Sequence, residues 1–269
     1  MDFSKVYQSK VVTAEEAVRK IQSNQRVFLT GNCSTPRMLL QALVDYAPNL
    51  HNVEICQSLT VGPANYVSPE MEGHLRVNTM FISANVRKAV QEGRADFTPV
   101  LLSEFPLLFK NKVLPLDVAL VHLSPPDEHG FCSFGIETGL TKSPAESSKI
   151  IIAEVNQRMP RALGDSFIHL SRIDYIVPVD YPLAEMAMGG EEADLATEKI
   201  ASYIADLIPD GATMQMGIGA IPNAVLKYLR NKKDLGIHTE LFSDGVIELV
   251  EAGVLTSARK SLHPGKILA

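Results

Sequence analysis

A strand-like run, Thr213–Met216, leads into Gly217-Ile218-Gly219-Ala220-Ile221-Pro222, and a helical run follows. Glycines at such a turn let backbone N–H groups approach a ligand, and a helix N-terminus favours negative charge. Eighteen residues after Pro222 stands Glu240, in His238-Thr239-Glu240-Leu241. A glutamate ordinarily has a pKa of about 4.3 and is ionised at neutral pH. The two features together meet the needs of an enzyme that attacks an activated acyl group with a carboxylate. They supply donors for the developing oxyanion and a nucleophile that apolar neighbours can keep from competing water. Each alone has a plain reading, a tight turn and a solvated carboxylate at a strand end. The turn is not the dinucleotide fingerprint, because Pro222 stands where the third glycine belongs. Ser243 and Asp244 are expected to cap the next helix.

The elements that must hold these groups are short apolar runs alternating with helical patterns. Thr13 and Glu16 have capping-box spacing, with Ala14, Val18 and Ile21 as the apolar face behind them. Arg26–Gly31 reads as a strand ending in glycine, and Ser34-Thr35-Pro36 opens a helix with Leu39, Leu40, Leu43 and Val44 on one face. Further strands are expected at Val53–Leu59, Val77–Ser83, Val118–Leu123, Lys149–Val155 and Tyr175–Val179. Several lack alternation, as strands covered on both faces do, which predicts an α/β domain with a mainly parallel sheet. Composition breaks at Tyr181–Gly190, dividing the chain into domains at 1–185 and 191–269. The second is expected to begin with a helix from Glu191 to about Ile208, with Leu195, Ile200, Ile204 and Leu207 turned inward. A strand at Gly236–Phe242 and helices at Asn223–Arg230 and Asp244–Ala252 follow. This domain looks incomplete, with two clear strands and a third beginning at Gly265–Ala269.

Composition bounds the partners. The 269 residues carry a net charge of −6, which argues against nucleic acid. Cys33, Cys56 and Cys132 are sparse and widely spaced, as in a reducing compartment. The N-terminus lacks a signal-peptide pattern, and no apolar run is long enough to span a membrane. A cytoplasmic protein follows as the expectation. Asp127-Glu128-His129 has metal-ligating residue types, but adjacent ligands do not readily share one ion, so a proline-rich surface loop is the better reading and no metal is expected. His122, inside an apolar strand, reads as a hydrogen-bonded core histidine. No Gly-x-Ser-x-Gly elbow is present.

Three long motifs carry a resemblance. Gln215-Met216-Gly217-Ile218-Gly219-Ala220-Ile221-Pro222-Asn223-Ala224-Val225-Leu226 is followed by Leu235-Gly236-Ile237-His238-Thr239-Glu240-Leu241 and Ser243-Asp244-Gly245. Upstream stand Asp117-Val118-Ala119-Leu120-Val121-His122-Leu123-Ser124-Pro125-Pro126-Asp127, with Gly130 and Ser133-Phe134-Gly135, and Gly93-Arg94-Ala95-Asp96-Phe97-Thr98-Pro99. In this order they resemble the acetyl-CoA hydrolase/transferase family, and within it the 4-hydroxybutyrate and butyrate CoA-transferase branch. The resemblance implies two Rossmann-like open-sheet α/β domains, the second incomplete here, with a site in the cleft between them. It implies Glu240 as the nucleophile on an acyl-CoA thioester, passing through a mixed anhydride to a glutamyl-CoA thioester that a short-chain carboxylate resolves. Gly217, Ile218, Gly219, Ala220 and Ile221 would line the thioester. Gln215 would hydrogen-bond the acyl or acceptor group, and His238, two residues before Glu240, would orient the carboxylate. Coenzyme A and acyl-CoA would be substrates, with no tightly bound cofactor, and a homo-oligomer, a dimer, is expected.

Departures from the family accompany these implications. Many relatives carry a His and a Gly-Glu-Pro where this chain has Gly31-Asn32-Cys33-Ser34-Thr35-Pro36, so substrate choice is expected to differ; Asn32 and Cys33 either touch the acyl pocket or, the plainer reading, form the turn and cap a helix. Family members are longer, and the chain is expected to lack the C-terminal part that supplies further CoA contacts. Two alternatives stand beside transfer: an acyl-CoA hydrolase using the same Glu240 with water, and an inactive truncated fragment.

Overall fold

The computed structural model describes residues 3–186, 194–217 and 219–269. They form two compact units, Met1–Glu185 and Met186–Ala269.

Unit 1 opens with α1 (Phe3–Gln8) and α2 (Ala14–Val18). The Thr13–Glu16 capping box forms in both directions, as its spacing predicts. Alternating elements follow: β1 (Arg26–Leu29), α3 (Arg37–Tyr46), β2 (Val53–Gln57), β3 (Leu75–Thr79), α4 (Ala84–Gln91) and β4 (Ala95–Phe97). After α5 (Phe105–Lys110) come β5 (Val118–Leu123), β6 (Phe131–Ser133), α6 (Lys142–Ser147), β7 (Ile150–Asn156), β8 (Phe167–His169) and β9 (Tyr175–Val179). Seven strands make one sheet, in the order β4-β3-β2-β1-β5-β7-β9, and every neighbouring pair is parallel.

The unbroken apolar run of β5 is explained by coverage on both faces, since all six of its residues are buried. One face packs against α2, α3 and α4, through Ala17, Val18, Leu39, Leu43, Val86 and Ala89. The other packs against α5, α6 and the β6–β8 pair, through Phe105, Phe109, Ala145, Cys132 and Ile168. Pro178 is tolerated in β9 because β9 is an edge strand. The outer edge of β9 is partly covered where Val12 N–H donates to the Ile176 carbonyl at 2.9 Å.

Two features depart from the expected pattern. The strand expected at Val77–Ser83 begins at Leu75 and ends at Thr79. The antiparallel pair β6–β8, with Cys132 opposite Ile168, was not among the expected strands. Strands of three residues are too short to show a period of two.

Unit 2 contains α7 (Leu195–Leu207), β10 (Thr213–Met214), α8 (Ala220–Tyr228), β11 (Gly236–Ile237) and α9 (Gly245–Glu251). β10 and β11 pair in parallel, Thr213 with Gly236 and Met214 with Ile237. A bridge from His238 to Leu268 adds the start of a third strand within Gly265–Ala269. The expected beginning of α7 at Glu191 lies outside the described residues. Its inward face is not the expected one. Leu195 and Leu207 are 84% and 82% exposed, and Ile200 and Ile204 are also exposed, while Ala201 and Ala205 are buried. Small residues let α7 lie close against α8, whose Ala224, Val225 and Leu226 share that core. Asp244 is the N-cap of α9 but makes no side-chain capping bond, and the Ser243 hydroxyl has no partner among the described residues, so the expected side-chain cap is not seen among them. The Ser243 carbonyl instead accepts the Val246 N–H at 3.0 Å.

Candidate active site

Parallel pairing brings the two motifs of unit 2 together. β10 and β11 run side by side, and His238 N–H donates to the Met214 carbonyl at 2.9 Å, one rung past the last ladder pair. The ladder is then replaced by a side chain. The Thr239 hydroxyl accepts the Met216 N–H at 2.9 Å and donates to the Met216 carbonyl at 2.9 Å. Gly217 follows Met216 and Glu240 follows Thr239, so both leave the sheet from clamped, adjacent strand ends. Neighbouring strands lie about 4.8 Å apart. Ligands of open α/β sheets bind outside the carboxyl ends of the strands, where these residues are.

The far side of β11 is held as firmly. Thr239 N–H donates to the Leu268 carbonyl at 2.9 Å, and Leu268 N–H donates to that of Ile237 at 3.2 Å. Lys260, which is buried, donates from Nζ to the carbonyls of Ile237 and Lys266, both at 2.7 Å. Its stem passes so close to β11 that a Cβ at Gly236 would meet Lys260 Cγ at 2.6 Å.

On the β10 side the chain turns into α8 through Gly219, which has φ +124° and is the N-cap. A side chain would be strained there by the backbone, although no atom within 4 Å would obstruct it. Ala220 and Ile221 are exposed in the first turn of α8, where N–H groups have no intrahelical acceptor. Pro222 is the third helical residue and has no N–H to leave unpaired. The N-terminus of α8 thus follows the strand end that the Thr239 clamp ties to the one bearing Glu240. Ile218 lies outside the described residues.

Glu240 is exposed, contrary to the apolar setting its neighbours suggested. β11 ends at Ile237, so the run to Phe242 is not a buried strand. Thr239 and Ser243 are buried, Leu241 is half-buried and Phe242 is exposed. Gln215 and His238 are exposed as well. Among the described residues no hydrogen bond joins either side chain to Glu240.

In unit 1 the corresponding position is the switch point of the sheet. The chain runs from β1 outward to β4 and then returns to the other side of β1 at β5. Gly31–Pro36 follows β1 at this point. Gly31 approaches Leu59 so closely that a Cβ would lie 2.0 Å from its carbonyl oxygen. Asn32 has φ +50°, donates its N–H to the Leu59 carbonyl at 2.6 Å, and donates from Nδ2 to Glu137 Oε2. Glu137, which is buried, also accepts the Leu140 N–H at 3.1 Å. The sequence drew attention to Asn32 but not to Glu137, which lies two residues past the noted Ser133-Phe134-Gly135. His122 is buried with Nδ1 3.2 Å from the Ser34 carbonyl, as expected of a core histidine, and burial pushes its pKa down to about 4. Asp127 organises its own loop, accepting N–H groups of His129 at 2.9 Å and Phe131 at 2.8 Å and pairing with Arg161.

A family model for the acetyl-CoA hydrolase/transferase N-terminal domain matches residues 1–184. The chain is 49% identical to the 4-hydroxybutyrate coenzyme A transferase of Clostridium kluyveri, over 100% of this chain and 62% of that protein. It is 43% identical to a succinyl-CoA:acetate/propanoyl-CoA:succinate CoA transferase of Fasciola hepatica, over 95% of this chain and 53% of that one. Among solved structures, the 4-hydroxybutyrate CoA-transferase of Porphyromonas gingivalis superposes with a TM-score of 0.86 at 35% identity, covering 99% of this chain and 63% of that chain. The chain therefore spans less than two thirds of the length of these relatives.

Proposed function

The chain belongs to the acetyl-CoA hydrolase/transferase family, and on that premise we propose that it carries the nucleophile of a CoA-transferase that moves CoA between an acyl-CoA and a short-chain carboxylate. The supporting observation is the Thr239 clamp on Met216, which joins the strand end bearing Glu240 to the one bearing the glycine turn.

In this reading a Glu240 carboxylate oxygen attacks the thioester carbonyl, and the carbon–sulfur bond breaks. The products are a mixed anhydride and CoA thiolate. The thiolate attacks the glutamyl carbonyl, releasing the first acid as its carboxylate and leaving a glutamyl-CoA thioester. The acceptor carboxylate repeats the two steps in reverse, which frees Glu240 and carries CoA away. Each tetrahedral intermediate bears an oxyanion. The open N–H groups at Gly219, Ala220 and Ile221 are suited to receive it, and one such donor typically contributes about 3–4 kcal/mol. Exposure of Glu240 is consistent with a nucleophile that must reach a bulky thioester. Gln215 and His238, exposed on the same strand ends, serve as substrate contacts, and Asn32 serves as an acyl-pocket contact. The protein works in the cytoplasm as a homodimer, which light scattering on the purified chain checks.

Intact-mass spectrometry with acyl-CoA tests the assignment. The expected result is an adduct of CoA less water that localises to Glu240 and disappears on adding acetate. Glu240→Gln is expected to form no adduct and to lose turnover by about 10⁴-fold or more, as removal of a covalent nucleophile does. An adduct that persists in Glu240→Gln would sink the nucleophile assignment. Acyl-CoA consumption at the same rate without any acceptor carboxylate would identify a hydrolase instead.

A further inference from the structure

Unit 1 contains a buried carboxylate that the proposed chemistry does not use. Glu154 on β7 is 0% exposed and lies at the N-terminus of α3. One oxygen accepts the Leu39 N–H at 2.6 Å, and the other accepts the Tyr181 hydroxyl. The Tyr181 oxygen in turn accepts the Arg37 N–H at 3.2 Å. The Arg37 guanidinium lies 4.2 Å over the Tyr181 ring and donates to the Pro182 carbonyl at 2.5 Å. The His122 ring sits 5.6 Å from that of Tyr181, and its Nδ1 is 3.2 Å from the Ser34 carbonyl.

A helix start normally takes its cap from a neighbouring Ser, Thr or Asp, which stabilises it by about 1 kcal/mol. Here the N-cap is Pro36, which supplies no side-chain bond. Thr35 is turned to the Asn32 carbonyl at 3.0 Å, and the Ser34 hydroxyl has no partner among the described residues. The capping task has passed to a carboxylate 115 residues away. Burying a carboxylate costs several kcal/mol before compensation, more than a cap returns. Stability of α3 alone does not account for it. The same carboxylate holds Tyr181, in the last residues of unit 1, to the helix that begins where the Gly31–Pro36 turn ends.

We infer that Glu154 is a positioning residue: it fixes the Gly31–Pro36 turn and the Tyr181–Pro182 segment against each other, so that a proton lost from Glu154 loosens the turn that carries Asn32. Three side chains from the packed elements face it: Arg37 from α3, Tyr181 after β9, and His122 from β5 beyond the tyrosine ring. Burial pushes the Glu154 pKa up to about 7, against the opposing hydrogen bonds of Tyr181, Leu39 and Met38 and the charge of Arg37. The hydroxyl of Tyr181 is driven above its ordinary range by burial and by Glu154, so it stays a donor. Charge-assisted bonds to the ionised carboxylate do not make up for its lost hydration, because burial outweighs them. The closed site therefore holds the protonated acid more firmly, and ionisation above neutrality favours opening to water. The consequence for substrate rests on the reading of Asn32 as an acyl-pocket contact; the structural part does not.

Hydrogen exchange on the 269-residue chain, corrected for intrinsic rates, tests the structural part at pH 6 and pH 8. Peptides spanning 31–41 and 178–186 are expected to lose severalfold protection at the higher pH, while a β5 peptide is unchanged. Glu154→Gln, which keeps the acid's shape without its titration, is expected to abolish the pH dependence in both peptides. Tyr181→Phe removes a donor to the carboxylate and is expected to move the transition to higher pH. The same pH dependence in Glu154→Gln, an unmoved transition in Tyr181→Phe, or an equal change in the β5 peptide would overturn the inference. In the active transferase, KM for acyl-CoA is expected to change across pH 7 with kcat nearly constant, and to lose that change in Glu154→Gln. An unaltered KM profile in that variant would remove the link to substrate. The exchange arm needs no turnover, so a failed Glu240 assignment leaves it readable.

Discussion

Beside Glu240, a side chain replaces a rung of the β-ladder. Thr239 makes two hydrogen bonds to the backbone of Met216, and both partners are buried. Thr239→Val keeps the shape and strand propensity but leaves the Met216 N–H and carbonyl unpaired. The expected loss is about 1–3 kcal/mol of stability in unit 2, because an orphaned buried backbone group costs about that much. The glycine turn and Glu240 should also separate, so turnover should fall further than the stability loss explains. Chemical denaturation combined with kcat on the folded fraction checks both; unchanged kcat would mean that the clamp is structural only. At this scale, residue types and order pointed to Glu240 as the candidate nucleophile and to the glycine turn, because both belong to contiguous motifs. The Thr239 clamp, Glu137 and Glu154 were hidden in the sequence. A threonine in a strand needs no partner to be unremarkable. A buried glutamate is specified by donors that the chain brings from Asn32 or from Leu39 and Tyr181.

Helix α7 shows why periodicity located elements better than faces. Its large apolar residues Leu195, Ile200, Ile204 and Leu207 point away from the core of unit 2, whereas Ala201 and Ala205 lie in it. A search for large apolar side chains finds the wrong side, because a close helix–helix seam selects small ones. The Tyr228 hydroxyl donates to Glu198 at 2.6 Å along the same α7–α8 pair. Ala201→Leu should therefore destabilise unit 2 by about 1–3 kcal/mol through overpacking. Leu207→Lys, on the exposed face, should change stability by less than about 0.5 kcal/mol. Thermal or urea unfolding of the two variants checks the order, and a reversed order would place the seam on the leucine face. The sheet of unit 1 was easier to read, since its central strands β1, β5 and β7 are mostly apolar and buried on both faces. β4, β6 and β8 were not, at three residues each.

Over the whole molecule, two buried groups of unit 1 oppose each other in the response to pH. Glu154 has a folded pKa of about 7 against an ordinary 4.5. The folded state keeps this proton longer than the unfolded chain does, so its contribution is full below about pH 4.5 and is lost as pH rises to about 7. His122 has a folded pKa of about 4 against an ordinary 6.5. There the unfolded chain binds the proton first, so its contribution is full above about pH 6.5 and is lost as pH falls to about 4. Each shift corresponds to about 3 kcal/mol, with opposite sign over overlapping ranges. Asp96 and Asp117, held low mainly by hydrogen bonds from Arg76 and Lys149, titrate below this window. The wild-type chain should thus show a nearly flat stability between pH 4.5 and 7. Removing one group exposes the other. Glu154→Gln should become more stable as pH rises through this range, and His122→Asn, which can still donate to the Ser34 carbonyl, should become less stable. Urea unfolding followed by circular dichroism at half-unit pH intervals reads both slopes. Slopes of the same sign in the two variants would show that these groups do not carry the pH response of unit 1.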